Sequence, residues 1–397
     1  MSAQLPQLPQ LPGPAPARWP RAPTIGICGS YGGLNLGDEA ILTVALEQLR
    51  RELPGVELTV FTRDVRHTRE HHPVDRVLDA REACRDELVE EIDRLDLLLL
   101  GGGGILYDRE SESYLHVPRI AQTLGVSTAT YAIGVGPLRR HEERCAVADV
   151  LNAMVAITVR DVASQRLLEQ IGVTRDITVT ADPALLLEPA LRSYGVLERQ
   201  GITRDRQLVG MSVREPGGTT HGLEEGVYHR LLANAADFVA ARFDANVLFV
   251  PMESQDVRHA HRVIAEMGAP ERAWVLKGTY APREMLALIG ELDLAIGMRL
   301  HFLIFAALAG TPVLALPYAS KVTSFLEQLG LPTPQLLQRE HAGVLLAAID
   351  RMWDLRAERS RLVSASIPAM KEQSRETATI VAGLLGRELG HAAARNA

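Results

Sequence analysis

Residues 292–309 read LDLAIGMRLHFLIFAALA: a largely apolar strand-like run, the turn Gly-Met-Arg-Leu-His at 297–301, and an unbroken apolar helix-like run. Arg299 and His301 are therefore expected where a strand ends and a helix begins. Ligands of open α/β folds gather at that place. The stretch predicts an α/β fold in which this guanidinium and this imidazole meet an anion.

Strand-like and helix-like runs alternate on both sides of this stretch, which predicts parallel sheets with helices on both faces. The expected strands of the first half are residues 24–28, 57–61, 95–100, 127–131, 156–159 and 177–180. Those of the second half are residues 208–213, 246–250, 272–276, 292–296 and 312–316. Two doubly wound halves that face each other would leave a cleft, a favoured position for a ligand site.

The chain has 397 residues, more than the roughly 250 to 300 at which a single core stops growing, so two domains are expected. We predict a disordered, proline-rich leader at 1–23, one domain at 24–188, a linker at 189–207 and a second domain at 208–390. The second domain includes helical patterns at 344–363 and, beyond Pro368, at 369–389. Periodicity leaves open whether these helices pack across both domains or mediate association into an oligomer.

The composition excludes several classes of protein. A net charge of -7 provides no broad basic surface, so no nucleic-acid partner is expected. Three widely spaced cysteines argue against a disulfide framework and fit a reducing cytoplasm. No apolar run approaches the ~20 residues of a membrane span, so any membrane contact would be peripheral. The pairs His71/His72 and His259/His261 lack metal-ligand spacing, and no metal is expected.

Glycine-rich segments follow two predicted strands of the first half. Residues 29–38 lead through glycines into a helix, which makes Asn35, Gly37 and Asp38 candidate ligands of a phosphate or carboxylate. The alternative is that Asp38 only caps the helix. Four leucines then run into Gly101–Gly104, where Gly102 and Gly103 would leave room for a substrate. Residues 131–137, YAIGVGP, repeat the arrangement more weakly.

Charged residues stand at the ends of further predicted strands. Arg160 and Arg214 could grip a carboxylate or phosphate, although an arginine in such a place is often the partner of a nearby acid. Lys321 is a weaker anion-binding candidate. Asp256 could orient a hydroxyl or cap its helix, and Asp182 is expected to shape a turn.

The chain resembles the polysaccharide pyruvyl transferase family, particularly its bacterial cell-wall polymer members, over residues 24 to about 330. The resemblance rests on motifs in the expected order: Asn35–Leu42, Gly101–Gly104, Tyr131–Pro137, Ile157–Asp161, Thr180–Pro183, and Gly297–His301 with Tyr318–Val322. It implies two facing Rossmann-like domains similar to a GT-B glycosyltransferase. Ile133 departs from the pattern, since many members carry Gln there.

The resemblance also implies an activity: transfer of pyruvate from phosphoenolpyruvate onto two hydroxyls of one sugar, forming a cyclic ketal and releasing phosphate. By motif, Arg160 and Arg299 would hold the donor's anions, the Leu300 backbone would add a hydrogen bond, and His301 would be the acid. The chemistry agrees with these residue types. Planar guanidinium groups suit a carboxylate and a phosphate, and imidazole gives up a proton near neutral pH.

The expected partners are phosphoenolpyruvate as donor substrate, with no cofactor, and a glycan acceptor. Whether the acceptor is lipid-linked is open; if it is, the enzyme would work at the inner face of the cytoplasmic membrane. Two other functions are compatible with the sequence. One is a nucleotide-sugar glycosyltransferase of the same two-domain shape. The other is a non-catalytic carbohydrate-binding protein, in which Arg299 and His301 would only maintain the fold.

Overall fold

The structure is a computed structural model that describes residues 21–33, 35–191, 195–216, 223–316, 320–333 and 342–395. The predicted leader falls almost entirely outside the described residues. The strands are β1 Thr24–Cys28, β2 Glu57–Thr62, β3 Arg76–Asp79, β4 Leu97–Gly101, β5 Gly104–Leu106, β6 Ser127–Tyr131, β7 Gly134–Val135, β8 Ile157–Val159, β9 Ile177–Val179, β10 Gln207–Ser212, β11 Ala245–Phe249, β12 Ala273–Val275, β13 Leu294–Gly297 and β14 Val313–Ala315.

The helices alternate with these strands. They are α1 Leu36–Glu52, α2 Val65–His71, α3 Arg85–Asp93, α4 Ser111–Thr123, α5 His141–Asn152, α6 Val162–Gln170, α7 Val196–Arg199, α8 Glu225–Phe243, α9 Asp256–Ala265, α10 Pro282–Ile289, α11 Leu300–Ala309, α12 Ser320–Gln328, α13 Ala342–Asp354 and α14 Arg356–Arg395. No helix of the described residues is both long and apolar enough to cross a membrane.

Two parallel five-stranded sheets have the same strand order. The first is β3-β2-β1-β4-β6 and the second is β12-β11-β10-β13-β14, so each half is doubly wound around its own first strand. Residues 97–100 of β4 are buried on both faces, as their unbroken leucine run predicts. In both sheets the order reverses beside the first strand, which is where ligands bind at the carboxyl edge.

Each predicted strand matches the structure to within two residues, and β1 and β6 match at both ends. Strand β3 was not predicted, because Arg76–Asp79 is a half-exposed edge strand without an apolar run. The predicted break at Pro368 is wrong: α14 continues through it, and the helices part at Leu355 instead. Buried Val363, Ile367 and Met370 on either side of the proline hold the helix in place, and this packing outweighs the lost hydrogen bond.

The last helix packs across both halves, which is one of the two alternatives that periodicity left open. Val363 and Met370 belong to a core shared with α10 and α11, whereas Val381 and Leu385 pack among residues of β1, β2 and α1. The predicted domain limits stay a prediction. However, the stretch assigned to the second domain ends on the sheet of the first.

Helix α1 also joins the two halves. Its residues Ala40, Ile41 and Val44 are buried in the same core as α10 and α11. At its start, the Leu36 amide donates to the Met252 carbonyl over 3.0 Å. The halves therefore meet around the amino end of a helix, beside the carboxyl ends of both sheets.

Candidate active site

A cavity of about 640 Å³ lies between the two halves, at the carboxyl edges of both sheets. Eight of the predicted site residues line it: Asn35, Asp38, Arg160, Arg214, Arg299, Leu300, His301 and Lys321. The three predicted glycines do not line the cavity but pack against side chains close to it. Gly37 lies against His301, Gly103 against Asp38, and Gly102 against the ring of Tyr31. Part of the motif Tyr318–Val322 lies outside the described residues, although Lys321 is within them.

His301 is clamped between the two halves. It occupies the first turn of α11 and is 9% exposed. Gly37 allows the approach, because a Cβ at this position would come within 1.8 Å of the imidazole Nδ1. On the other side, Nε2 lies 3.5 Å from Asp182 Oδ2, and among the described residues it has no hydrogen-bond partner. The ring is thus oriented by a carboxylate and faces the cavity.

Asp182 connects His301 to Arg160. Its Oδ1 accepts a hydrogen bond from the Ala184 amide at 3.0 Å, which shapes the turn as predicted, and its Oδ2 accepts one from Arg160 Nη1 at 2.8 Å. Burial alone would raise the pKa of Asp182, but the charges and hydrogen bonds of His301, Arg160 and Ala184 hold it well below its usual range. The carboxylate therefore stays ionised beside the imidazole.

Arg160 is seated by the glycines that follow β4 and β6. A Cβ on Gly134 would come within 2.6 Å of its Nε, and one on Gly104 within 3.2 Å of its Nη2. Its Nε is buried and, within the described part of the chain, has no hydrogen-bond partner; the nearest carboxylate oxygen of Asp161 is 3.7 Å away. These two glycines make room for an arginine side chain, and the space for a substrate at Gly102 and Gly103 stays a prediction. Asp161 caps α6 through the Ser164 amide at 2.7 Å.

Arg299 is held by two carboxylates that the sequence reasoning did not connect to it. Its guanidinium donates to Glu253 at 2.7 and 2.8 Å and to Asp256 at 2.6 to 3.2 Å. Asp256 does not cap its helix; it accepts instead from the amides of Met252 and Glu253, both at 3.1 Å. An anion that reaches Arg299 would therefore compete with these acids.

Glu253 was missed because nothing local marks it. It lies in the loop after β11, lines the cavity, and accepts a hydrogen bond from Asn35 Nδ2 at 2.6 Å. The one available signal for Glu253 was its position just beyond the end of a predicted strand, where site residues are expected. The contact joins the N-cap of α1 in the first half to the charged cluster of the second.

Asp38 is a buried carboxyl group in the cavity wall. It is 8% exposed, and a Cβ on Gly103 would come within 2.6 Å of its Oδ1. Burial raises the pKa of Asp38 to about 6, against the opposing effects of His301, Ser30 and Lys321. The alternative in which Asp38 caps α1 is wrong, since Asn35 is the N-cap and accepts from the Gly37 amide at 2.8 Å. Among the described residues Asp38 forms no ion pair within 4.0 Å.

The remaining wall is densely charged. Arg214 pairs with its neighbour Glu215, and its carbonyl accepts from Tyr228 at 2.7 Å. Arg63 and Arg81 also line the cavity from the loops after β2 and β3, and the sequence reasoning missed both. Ile133 does not reach it: the side chain is fully buried, and its backbone pairs with Thr158 and Arg160 instead. The concentration of guanidinium groups makes the cavity suitable for an anionic ligand.

A histidine cluster lies outside the cavity. His229 and His259 face each other, with Nε2 and Nδ1 3.0 Å apart, and Glu225 completes a group whose ligand atoms lie within 4.8 Å of one another. The sequence reasoning paired His259 with His261 and so missed this cluster, which joins α8 to α9. The two rings satisfy each other by a hydrogen bond, and Arg262 pairs with Glu225 at 3.2 Å.

Comparisons with known proteins agree with this architecture. A family model described as polysaccharide pyruvyl transferase matches residues 35–320. None of the curated proteins compared with this chain matches it.

Solved structures show the same fold at low sequence identity. A glycosyltransferase from Rickettsia africae is 11% identical with a TM-score of 0.59, covering 93% of this chain and 99% of that one. A UDP-GlcNAc 2-epimerase from Neisseria meningitidis is also 11% identical with a TM-score of 0.59, covering 91% and 99%. The predicted fold, two facing Rossmann-like domains of the GT-B type, is confirmed.

Proposed function

Because the chain belongs to the polysaccharide pyruvyl transferase family, we propose that it transfers the pyruvyl group of phosphoenolpyruvate onto two hydroxyls of one sugar in a glycan. The product is a cyclic ketal, and phosphate is released. One observation carries the proposal: His301, oriented by the Asp182 carboxylate, faces a cavity between the halves whose walls hold several guanidinium groups.

The donor carries a carboxylate and a phosphate, so its site must supply cationic hydrogen-bond donors. Arg160 is the strongest candidate. Its Nε is buried next to Gly134 and has no hydrogen-bond partner among the described residues. Arg299 contributes its positive charge, and it would bind the donor by giving up a hydrogen bond to Glu253 or Asp256. Leu300 presents its backbone at the amino end of α11, where helix amides suit an anion.

The first step is proton transfer from His301 to the methylene carbon of phosphoenolpyruvate. The adjacent carbon becomes electrophilic, and the first sugar hydroxyl adds to it. The second hydroxyl then attacks the same carbon, and the bond between that carbon and the phosphate oxygen breaks. This step closes the ketal ring and releases phosphate. The methylene gains one proton and the hydroxyls lose two; one returns to His301 and the other leaves with the phosphate, so the balance closes.

Asp38 is the group that accepts the proton of the attacking hydroxyl. It lies in the same cavity as His301, and a pKa of about 6 lets the carboxyl both take and release a proton near neutral pH. In this scheme the proton passes onward to the departing phosphate. His301 and Asp38 thus act as an acid and a base that approach from different halves.

The test is acceptor-dependent release of phosphate from phosphoenolpyruvate, with the ketal identified on the acceptor by mass spectrometry. We expect His301→Ala to lower kcat by roughly 10² to 10⁴-fold, the usual contribution of a positioned proton donor, while thermal shift still reports donor binding. The matched control is His116→Ala, at an exposed histidine of α4 outside the cavity. Transfer of a sugar from a sugar nucleotide, with no phosphate release from phosphoenolpyruvate, would contradict the proposal.

A further inference from the structure

A second cavity, of about 380 Å³, lies next to the first and plays no part in the mechanism above. It is bounded by α2 and the start of α1 on one side, and by the loops after β11 and β12 on the other. Glu253 and Ser254 line both cavities. A ligand that fills the first cavity and extends past these two residues would enter the second.

The loop after β12 is held in one conformation by Gln200. The side-chain amide of Gln200 donates to the Lys277 carbonyl at 2.7 Å and accepts from the Lys277 amide at 2.9 Å. The Tyr280 hydroxyl donates to the same carbonyl at 2.6 Å and accepts from Gln200 Nε2 at 2.5 Å. The ring of Tyr280 is therefore positioned in the cavity wall before any ligand arrives, and with Met252 and Met285 it forms an apolar face.

The opposite wall offers two imidazole rings. The rings of His67 and His71 are stacked, with centroids 4.1 Å apart and planes at 14°. Desolvation lowers the pKa of His67, so its imidazole is neutral at pH 7 and presents one donor and one acceptor. Its Nδ1 is buried 3.7 Å from Glu39 Oε2, so the rest of the ring is what the cavity can contact. The acid of this wall, Glu39, is already bound to His72 at 2.6 Å.

We propose that this second cavity binds the sugar residue adjacent to the one that is pyruvylated, so that the acceptor is recognised as at least a disaccharide. A pyranose ring has an apolar C–H face and a hydroxyl edge, which fit the Tyr280 wall and the imidazole wall respectively. The guanidinium groups crowd the first cavity, and the mostly apolar lining here favours an uncharged ligand over a phosphate. The inference rests on the proposed function, because the first cavity must hold the reacting sugar.

The experiment compares acceptors of one and two sugars, as paired nitrophenyl glycosides, at saturating phosphoenolpyruvate. We expect Tyr280→Ala and His71→Ala to lower kcat/KM for the disaccharide about tenfold and to leave the monosaccharide unchanged. Tyr280→Phe keeps the ring and tests whether the hydroxyl network alone matters. His116→Ala is the matched control for the exposed His71. Equal losses on both acceptors, or no loss on either, would overturn the subsite.

Failure of the subsite can be told apart from failure of the proposed function by measuring binding without turnover. Saturation-transfer NMR with the same disaccharides reports on the cavity even if no phosphate is released. Binding that weakens in Tyr280→Ala supports the subsite regardless of the reaction. Absence of disaccharide binding, or displacement of the bound sugar by a nucleoside monophosphate, would count against a sugar as the occupant.

Discussion

At the scale of single residues, Asp38 combines a cost in stability with a role in the proposed reaction. Its pKa is about 6 in the folded protein against 3.8 for an unperturbed carboxyl. The folded state therefore holds a proton that the unfolded state has lost between these values, and stability falls as pH rises from about 4 to about 6. Above that window the buried charge destabilises the fold. The proposed base is thus retained at a cost in stability.

Replacing Asp38 with the neutral, isosteric Asn should remove this cost. We expect Asp38→Asn to stabilise the protein by about 1 to 3 kcal/mol at about pH 8, and by much less at about pH 4, since the carboxyl is then protonated in the folded state and only partly ionised in the unfolded state. Urea unfolding at the two pH values measures the difference. A variant that is less stable at high pH would show that the ionised carboxylate is favoured in the fold.

The same residue should set the acidic limb of the pH–rate profile. The proposed base must be ionised, so wild-type kcat/KM should rise with pH through a midpoint near 6. Asp38→Asn should lower kcat by roughly 10² to 10⁴-fold and abolish this limb. A variant that keeps both the rate and the limb would remove Asp38 from the mechanism.

At the scale of elements, the first turn of α1 brings together groups from both halves. Asn35 caps the helix and binds Glu253, Gly37 supports His301, and Asp38 faces the cavity. The helix begins where a glycine-rich loop ends, so its first turn can approach the second half closely. A side chain at position 37 would push the imidazole of His301 out of its present position.

Gly37→Ala tests this contact. Alanine is a better helix former than glycine by about 1 kcal/mol, yet its Cβ would lie 1.8 Å from the unshifted His301 Nδ1. We expect kcat to fall about 100-fold because the acid is displaced, with little change in the affinity for phosphoenolpyruvate. The matched control is Gly383→Ala in α14, where a Cβ would meet nothing within 4 Å. Equal activity in the two variants would show that the imidazole position is unimportant.

At the scale of the whole molecule, α14 ties the two halves together. Its first part packs on the core shared with α10 and α11, and its later part packs on the first sheet. Ser374 of this helix also donates to the Asp182 carbonyl at 3.2 Å, directly behind the site. The relative position of the halves, and with it the geometry of His301 and Asp182, therefore depends on a helix far along the chain.

Leu385→Ala should destabilise the first half although the residue belongs to the last helix. Leu385 is fully buried, and truncating such a leucine costs about 2 to 5 kcal/mol. Leu362→Ala, on the same helix at a side chain that is 45% exposed, should change stability by less than about 0.5 kcal/mol. Hydrogen exchange of β1 and β4 in both variants locates the effect. Faster exchange confined to the second sheet would contradict the packing described here.

Local sequence patterns were enough to predict the alternation of strands and helices, the two doubly wound halves, and the position of Arg299 and His301 at a strand end. These features depend on apolar periodicity and on turn residues, which act over a few neighbouring positions. Three features became visible only in the folded chain: Asp182 orients His301, Glu253 and Asp256 hold Arg299, and α14 passes Pro368 to reach the first sheet. The acids that bind Arg299, for example, lie 43 and 46 positions before it in the chain, and nothing in the local pattern specifies such contacts. They form because parallel strands bring distant loops together at the carboxyl edge of each sheet, and because the two halves face each other across one buried, charged cavity.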